Sequence, residues 1–428
     1  VSPYEPHIAG IVPRRILEIA TRRLADEPVI ALQGARAVGK STLLAALAER
    51  LGAELVDLDD PATRLAAAED PSTFVEGAVP VCIDEYQHVP AVLDAIKAQL
   101  NRDLRPGRFV ITGSTRYDAL PTAAQSLTGR LHLLSLWPLT QCEIQGASVS
   151  VLAALMSEPA SAIAGGVSRT SRAEYVARVA AGGMPIALAR KGQSSRNRWL
   201  DDYTRLVLER DVRDLSKLRL AEHLPALLRR LATQTARPLN IAAAAGAVGL
   251  DRTTATEHLK LLEAVFLVMR LPAWGRTIRS RVAGAPKVHI VDSGIATRLL
   301  RLTPEKLATR EAAALSQFGH LLESFVVGEL IRQAAWLEDV ADYGHWRTHD
   351  GQEVDLILER DDGRVLAFEV KASGQVSAHD ARHLRALREA IGDRLLAGVA
   401  LYTGARSYRL DDRLFAMPID RLWLREPR

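Results

Sequence analysis

An α/β fold assembled from several units is what this 428-residue sequence predicts, and three patterns predict it. A short apolar run, Pro28-Val29-Ile30-Ala31-Leu32, passes through the loop Gly34-Ala35-Arg36-Ala37-Val38-Gly39-Lys40-Ser41 into a Leu- and Ala-rich helical stretch beginning at Thr42. A second apolar run, Val79-Pro80-Val81-Cys82-Ile83, ends in the acidic pair Asp84-Glu85. A third, Arg108-Phe109-Val110-Ile111, ends in Thr112-Gly113-Ser114. Uninterrupted apolar strands alternating with helical patterns are expected of a parallel sheet covered on both faces.

The first loop fits G-x-x-x-x-G-K-[ST] at every specified position and has the strand before it and the helix after it that the pattern requires. Its two glycines let backbone N–H groups turn inward as an anion nest, Lys40 reaches the β- and γ-phosphates, and the Ser41 hydroxyl can ligand Mg²⁺. The segment from Gly34 through Thr42 is therefore the candidate site for ATP. Asp84 supplies the second half, holding Mg²⁺ directly or through water, with Glu85 polarising the attacking water in the Walker B manner. Thr112 and Ser114, at the end of the next strand, sit where a polar side chain can sense the γ-phosphate.

Downstream of residues 1–148 the pattern turns helical. Residues 149–220 read as a small helical lid interrupted by Gly182-Gly183-Met184-Pro185, and residues 221–291 as a winged helix-turn-helix. In the latter, Asp251 can cap a helix carrying Arg252, Thr253, Thr254, His258 and Lys260, and a basic loop follows with Arg276, Arg279 and Arg281. The net charge of +4 is unevenly spread: between Arg190 and Ile290 there are 19 Lys and Arg against 9 Asp and Glu, or +10, leaving −6 elsewhere. A basic middle region of this kind predicts DNA as a partner, gripped through its phosphates by Arg252, Thr253, Lys260, Arg276, Arg279 and Arg281. A helix-turn-helix also serves protein–protein contacts, and that alternative stays open.

In residues 292–428 a helix containing Glu323 and Glu329 precedes the run Gln352-Glu353-Val354-Asp355, an Asp361-Asp362-Gly363 turn, and Ala367-Phe368-Glu369-Val370-Lys371. Residues two apart on a strand share a face, so Glu369 and Lys371 can converge with Asp355, and Glu323 can join them from the helix. Two carboxylates able to hold a divalent ion, with a lysine beside them, form the PD-(D/E)xK nuclease arrangement. The candidate metal ligands here are Glu323, Asp355 and Glu369, and Lys371 completes the nuclease-like set.

Composition bounds the remainder. A length of 428 residues corresponds to about three domains. The two cysteines, Cys82 and Cys142, suit neither a disulfide framework nor a metal-ligand spacing. A basic-then-apolar leader is not evident, nor is a run of about 18 uncharged apolar residues, so a cytoplasmic location without a membrane partner is expected.

Taken together, Gly34 to Thr42, Asp84-Glu85-Tyr86-Gln87-His88-Val89-Pro90, Ile111-Thr112-Gly113-Ser114, Ser126-Leu127-Thr128-Gly129-Arg130, Pro138-Leu139-Thr140 with Glu143, Gly182 to Pro185, Pro286-Lys287-Val288 with Asp292-Ser293-Gly294, and Gly319 through Lys371 resemble a family of bacterial and archaeal AAA-type ATPases. These carry a C-terminal domain of unknown function with a restriction-endonuclease-like fold. The resemblance implies a P-loop AAA-type ATPase core, a helical lid, a winged helix-turn-helix and a nuclease-like α/β domain. Gln33 and Ala35 depart from the Thr and Pro often found in that loop. Arg130 follows a glycine where AAA machines place an arginine that reaches a neighbour's γ-phosphate; the alternative is a structural arginine within its own subunit. A trans role implies a homo-oligomer such as a hexameric ring. The expectation is a Mg²⁺-dependent ATPase that translocates on or remodels duplex or branched DNA. Its rivals are an ATP-gated nuclease or defence switch and a nucleotide-regulated protein-binding adaptor.

Overall fold

The computed structural model describes residues 6–116, 127–147, 150–165, 167–212, 221–275, 284–309 and 311–424. The first sheet consists of β1 (Val29–Gln33), β2 (Leu55–Asp57), β3 (Val81–Asp84), β4 (Phe109–Gly113) and β5 (Leu131–Ser135), all parallel in the order β2-β3-β4-β1-β5. Period-two alternation splits β1 between two cores. Ile30 and Leu32 pack with Leu44, Leu47 and Val110, while Val29 and Ala31 pack with Val81, Ile83 and Ile111. With both faces covered there is no polar side, which is why these strands read as continuous apolar runs. β1 lies between β4 and β5, so the loop after it opens at the carboxyl edge of the sheet, where ligands bind in α/β folds.

Helices Arg172–Ala181 and Gln193–Leu206 follow, the first started by a capping box between Ser171 and Glu174. Gln193–Leu206 runs on into a turn of π-helix, Val207–Asp211. Next come helices Leu224–Ala232, Ile241–Gly246 and Arg252–Ala264 with a small antiparallel sheet of β6 (Arg237–Pro238), β7 (Val268–Leu271) and β8 (Lys287–Ile290), ordered β6-β8-β7. Asp251 caps the third helix through the Thr254 amide at 2.9 Å, as the sequence predicts. Helix Ser293–Leu299 returns to pack on Arg172–Ala181 and Gln193–Leu206. Asp292 accepts the Gly183 N–H at 2.7 Å, and a Cβ on Gly182 or Gly294 would collide with this junction.

The last unit is a six-stranded mixed sheet. Its strands β9 (Val340–Arg347), β10 (Glu353–Arg360), β11 (Val365–Lys371), β12 (Leu395–Tyr402), β13 (Tyr408–Asp411) and β14 (Leu414–Pro418) lie in the order β13-β14-β12-β11-β10-β9. β9, β10 and β11 are antiparallel neighbours, and β11, β12 and β14 run parallel. Helix Ala312–Ala334 covers one face, packing on β10 and β11, and helix Arg382–Ile391 covers the other. Among the described residues no helix is long and apolar enough to cross a membrane.

Candidate nucleotide site and acidic cluster

The loop after β1 needs left-handed backbone at Gly39 (φ 99°) and at Ala37 (φ 62°), which turns the amides toward the loop's centre. Lys40 opens helix Lys40–Leu51 and is buried, with its Nζ donating to the carbonyls of Gly34 and Ala35 at 3.2 Å each and lying 3.9 Å from Glu85. Burial lowers its pKa, and the charges of Glu85 and Asp84 work against that. Ser41 and Thr42 are exposed beside it. Arg14 braces the loop from outside, donating to the Val38 carbonyl at 2.9 Å and to Glu143 at 3.0 Å.

Asp84 and Glu85 leave β3 next to the end of β4. The Thr112 hydroxyl donates to Asp84, and the Glu85 amide donates to Thr112 at 3.2 Å. Glu85 itself adopts φ 51°, which swings its carboxylate toward Lys40 and Gln87. The Gln87 amide donates both to Glu85 and to Ser114, the latter at 3.0 Å, so a residue with no role assigned from sequence ties the acidic pair to the end of β4. Behind it, a Cβ on Gly113 would strike Tyr86 and Gln87. Residues Lys40, Asp84, Glu85, Thr112 and Ser114 thus meet at one edge of the sheet. An apolar pocket of about 280 Å³ adjoins the loop, lined by Ile8, Ile11, Val12, Val38, Thr42 and Ile186.

Two arginines near this edge have unexpected or undecided partners. Arg36 Nε bonds both oxygens of Asp211 at 3.2 and 3.1 Å, joining the loop to the π-helical turn. Burial opposes charge on Arg36, but Asp211 outweighs it and holds the pKa above the ordinary value. Arg130, half-buried, donates to the Asn101 side chain at 2.6 Å.

In the C-terminal unit, antiparallel register pairs Leu356 with Phe368, so Asp355 and Glu369 follow on neighbouring strands at the same end of the ladder. Glu323 and Asp355 do converge, but their companion is Glu353, and the group they surround is Lys287 of β8. Glu369 turns instead to Lys371 at 2.5 Å and His383 at 3.1 Å, leaving its second oxygen buried without a partner. Burial raises the Glu369 pKa, against the lowering effect of Lys371. Glu353 and Lys287 were both missed as site residues. Glu353 was detectable as the i−2 neighbour of Asp355 on a strand, whereas Lys287, 68 positions from Asp355, has no local signal.

Of the residues expected at a DNA surface, Arg252 and Thr253 are exposed at the start of helix Arg252–Ala264, and Lys260 is exposed and paired with Glu257 at 2.9 Å. His258, on the same helix, is fully buried, because its position turns it into the core with Ala255, Leu259 and Leu262. Arg276, Arg279 and Arg281 lie outside the described residues, as does Ser126.

Comparison with known proteins matches three models along the chain. Residues 26–145 match an AAA domain, 172–306 a domain of unknown function (DUF8612) and 318–422 a domain of unknown function (DUF4143). With the loop geometry, the first match supports a P-loop ATPase family and ATP hydrolysis in general. An uncharacterized protein of Mycobacterium tuberculosis, Rv2008c, is 29% identical over 405 residues, covering 94% of this chain and 82% of that protein; the Mycobacterium bovis protein Mb2031c matches to the same extent. Among solved structures, the Walker-type ATPase paby2304 of Pyrococcus abyssi overlaps at TM-score 0.42 and 15% identity, covering 69% of this chain and 97% of that one. The RuvB Holliday junction branch migration motor of Thermotoga maritima overlaps at TM-score 0.29 and 18% identity, covering 61% and 90%.

Proposed function

We propose that the protein is a Mg²⁺-dependent ATPase that works on DNA as an oligomeric motor. The observation that carries the ATPase reading is the convergence of Lys40, Asp84, Glu85, Thr112 and Ser114 on the carboxyl edge of β1, β3 and β4, beside an apolar pocket sharing Val38 and Thr42 with the phosphate loop. In this reading the loop amides from Gly34 to Thr42 and the Lys40 ammonium bind the phosphates, and the apolar pocket takes the base. The carbonyls of Gly34 and Ala35 that now accept from Lys40 are released when a phosphate replaces them. Ser41 and Asp84 fit Mg²⁺, one an exposed hydroxyl and the other a carboxylate at the mouth of the loop. The ion would neutralise charge developing on the transferred phosphoryl group. Glu85 orients and deprotonates the attacking water, held in place by Gln87.

DNA as partner is supported by the +10 charge of residues 190–290 and by the exposed Arg252, Thr253 and Lys260 on a helix of a unit that has three α-helices and three strands among its described residues, which we read as a winged helix. The deciding experiment compares ATP turnover without nucleic acid and with single-stranded, duplex and four-way-junction DNA. Stimulation by DNA is expected. A second reading, an ATP-gated switch, draws on the Arg36–Asp211 pair, which links the phosphate loop directly to the helical segment. Turnover indifferent to every DNA would favour it over the motor.

A further inference from the structure

The ammonium of Lys287 is enclosed completely, with no exposed side-chain surface, and it faces Glu323 at 2.6 Å, Glu353 at 2.5 Å and Asp355 at 2.9 Å. Its Nζ donates to Glu323 and Asp355, and Glu353 is its third ion-pair partner. The three acids arrive from helix Ala312–Ala334 and from β10, both in the C-terminal unit, while the lysine arrives on β8 of the small three-stranded sheet. We propose that Lys287 is the resident cation of this cluster, seated where a divalent ion would sit, so that the cluster holds either the ammonium or a divalent cation and never both. The residues around it therefore do not fit the metal centre expected from the PD-(D/E)xK pattern while β8 is docked.

Charge and valence support this. Arg347 supplies a second positive charge, bonding the other oxygen of Glu353 at 3.0 Å. Burial, and then the neighbouring Asp355, push the Glu323 carboxyl above the ordinary range, against the lowering effect of Lys287. For Asp355, burial is outweighed by Lys287, which lowers its pKa, and its second oxygen accepts the Val370 N–H at 2.9 Å. With the ammonium already seated between the three carboxylates, a divalent ion entering the cluster would meet a like charge at the position its ligands surround. Glu369 gives one oxygen to Lys371 and His383 and lies outside the group of three carboxylates that surrounds Lys287.

The proposal is independent of the ATPase reading, and its test can be kept so by working in the full-length Asp84→Asn background without nucleotide. Mn²⁺ binding is followed by loss of the free-ion EPR signal and by calorimetry. The expected result is no saturable site in the protein bearing Lys287, a single new site in Lys287→Met that is at least about tenfold tighter than anything in the parent, and loss of that site on adding Asp355→Asn. Circular dichroism monitors folding, and Lys287→Gln replaces Lys287→Met if the latter does not fold. A folded Lys287 variant that gains no Mn²⁺ site overturns the proposal. So does a Mn²⁺ site in the lysine-bearing protein that Asp355→Asn abolishes, an outcome that needs no Lys287 variant at all.

Discussion

At the scale of single residues, the nucleotide site divides its work between groups that hold and groups that react. Lys40 is expected to hold: Lys40→Ala should abolish binding of a fluorescent ATP analogue together with turnover. Glu85→Gln should leave binding within a few-fold while lowering kcat by roughly 10²–10⁴. Near wild-type turnover in Glu85→Gln would reassign the base. A different residue sets an acid limit on the fold. His289 is fully buried, and burial, then the charge of Lys287, pushes its imidazole down to about 3. In the unfolded chain the ordinary value is about 6.5, so between those values the unfolded state takes up a proton that the folded state refuses. This group's stabilisation is intact above about pH 6.5 and declines on acidification, by up to about 1.4 kcal/mol per pH unit. Melting temperatures should therefore fall from pH 7 to pH 5, with a shallower slope in His289→Gln. Equal slopes would remove His289 as the cause.

At the scale of elements, Glu329 shows how the units are bound together. Buried on helix Ala312–Ala334, it accepts the amides of Gln141 and Cys142 at 2.8 and 3.3 Å, two of the unpaired N–H groups at the start of helix Gln141–Ile144. Glu329→Ala would leave both donors buried and unmatched, each at a cost of about 1–3 kcal/mol, whereas Glu329→Gln keeps an acceptor and should lose less. Denaturant midpoints of the two variants check the order. The same contact marks the limit of what sequence can tell. The phosphate loop was legible because Gly34, Gly39, Lys40 and Ser41 are neighbours in the chain, and the strands were legible because burial on both faces writes an apolar run. Arg36 and Asp211 meet across 175 positions and Gln141 and Glu329 across 188, so only tertiary packing brings them together.

At the scale of the whole molecule, Arg130 bears on assembly. Its guanidinium is half-exposed and meets an amide oxygen of Asn101, which leaves it available to a neighbouring subunit. If it acts in trans, turnover per subunit should rise with protein concentration, and mixing Arg130→Ala with Lys40→Ala subunits should restore part of the activity, because each variant spoils a different half of a shared interface. A concentration-independent rate without recovery would assign Arg130 to its own chain. Helix Ala312–Ala334 carries a separate consequence for anyone who wishes to take the molecule apart. Along its length Ser324 bonds Thr235 and His289, Glu329 receives the Gln141 amide, Arg332 donates to the Val291 carbonyl, and Gln333 reaches Ser150 and Leu422. It is a keel to which the other units are fastened. Cutting the chain ahead of it would not liberate a free-standing ATPase fragment but would strip polar contacts from both sides of the cut. Biochemical dissection of this protein is therefore better done by point substitution than by truncation.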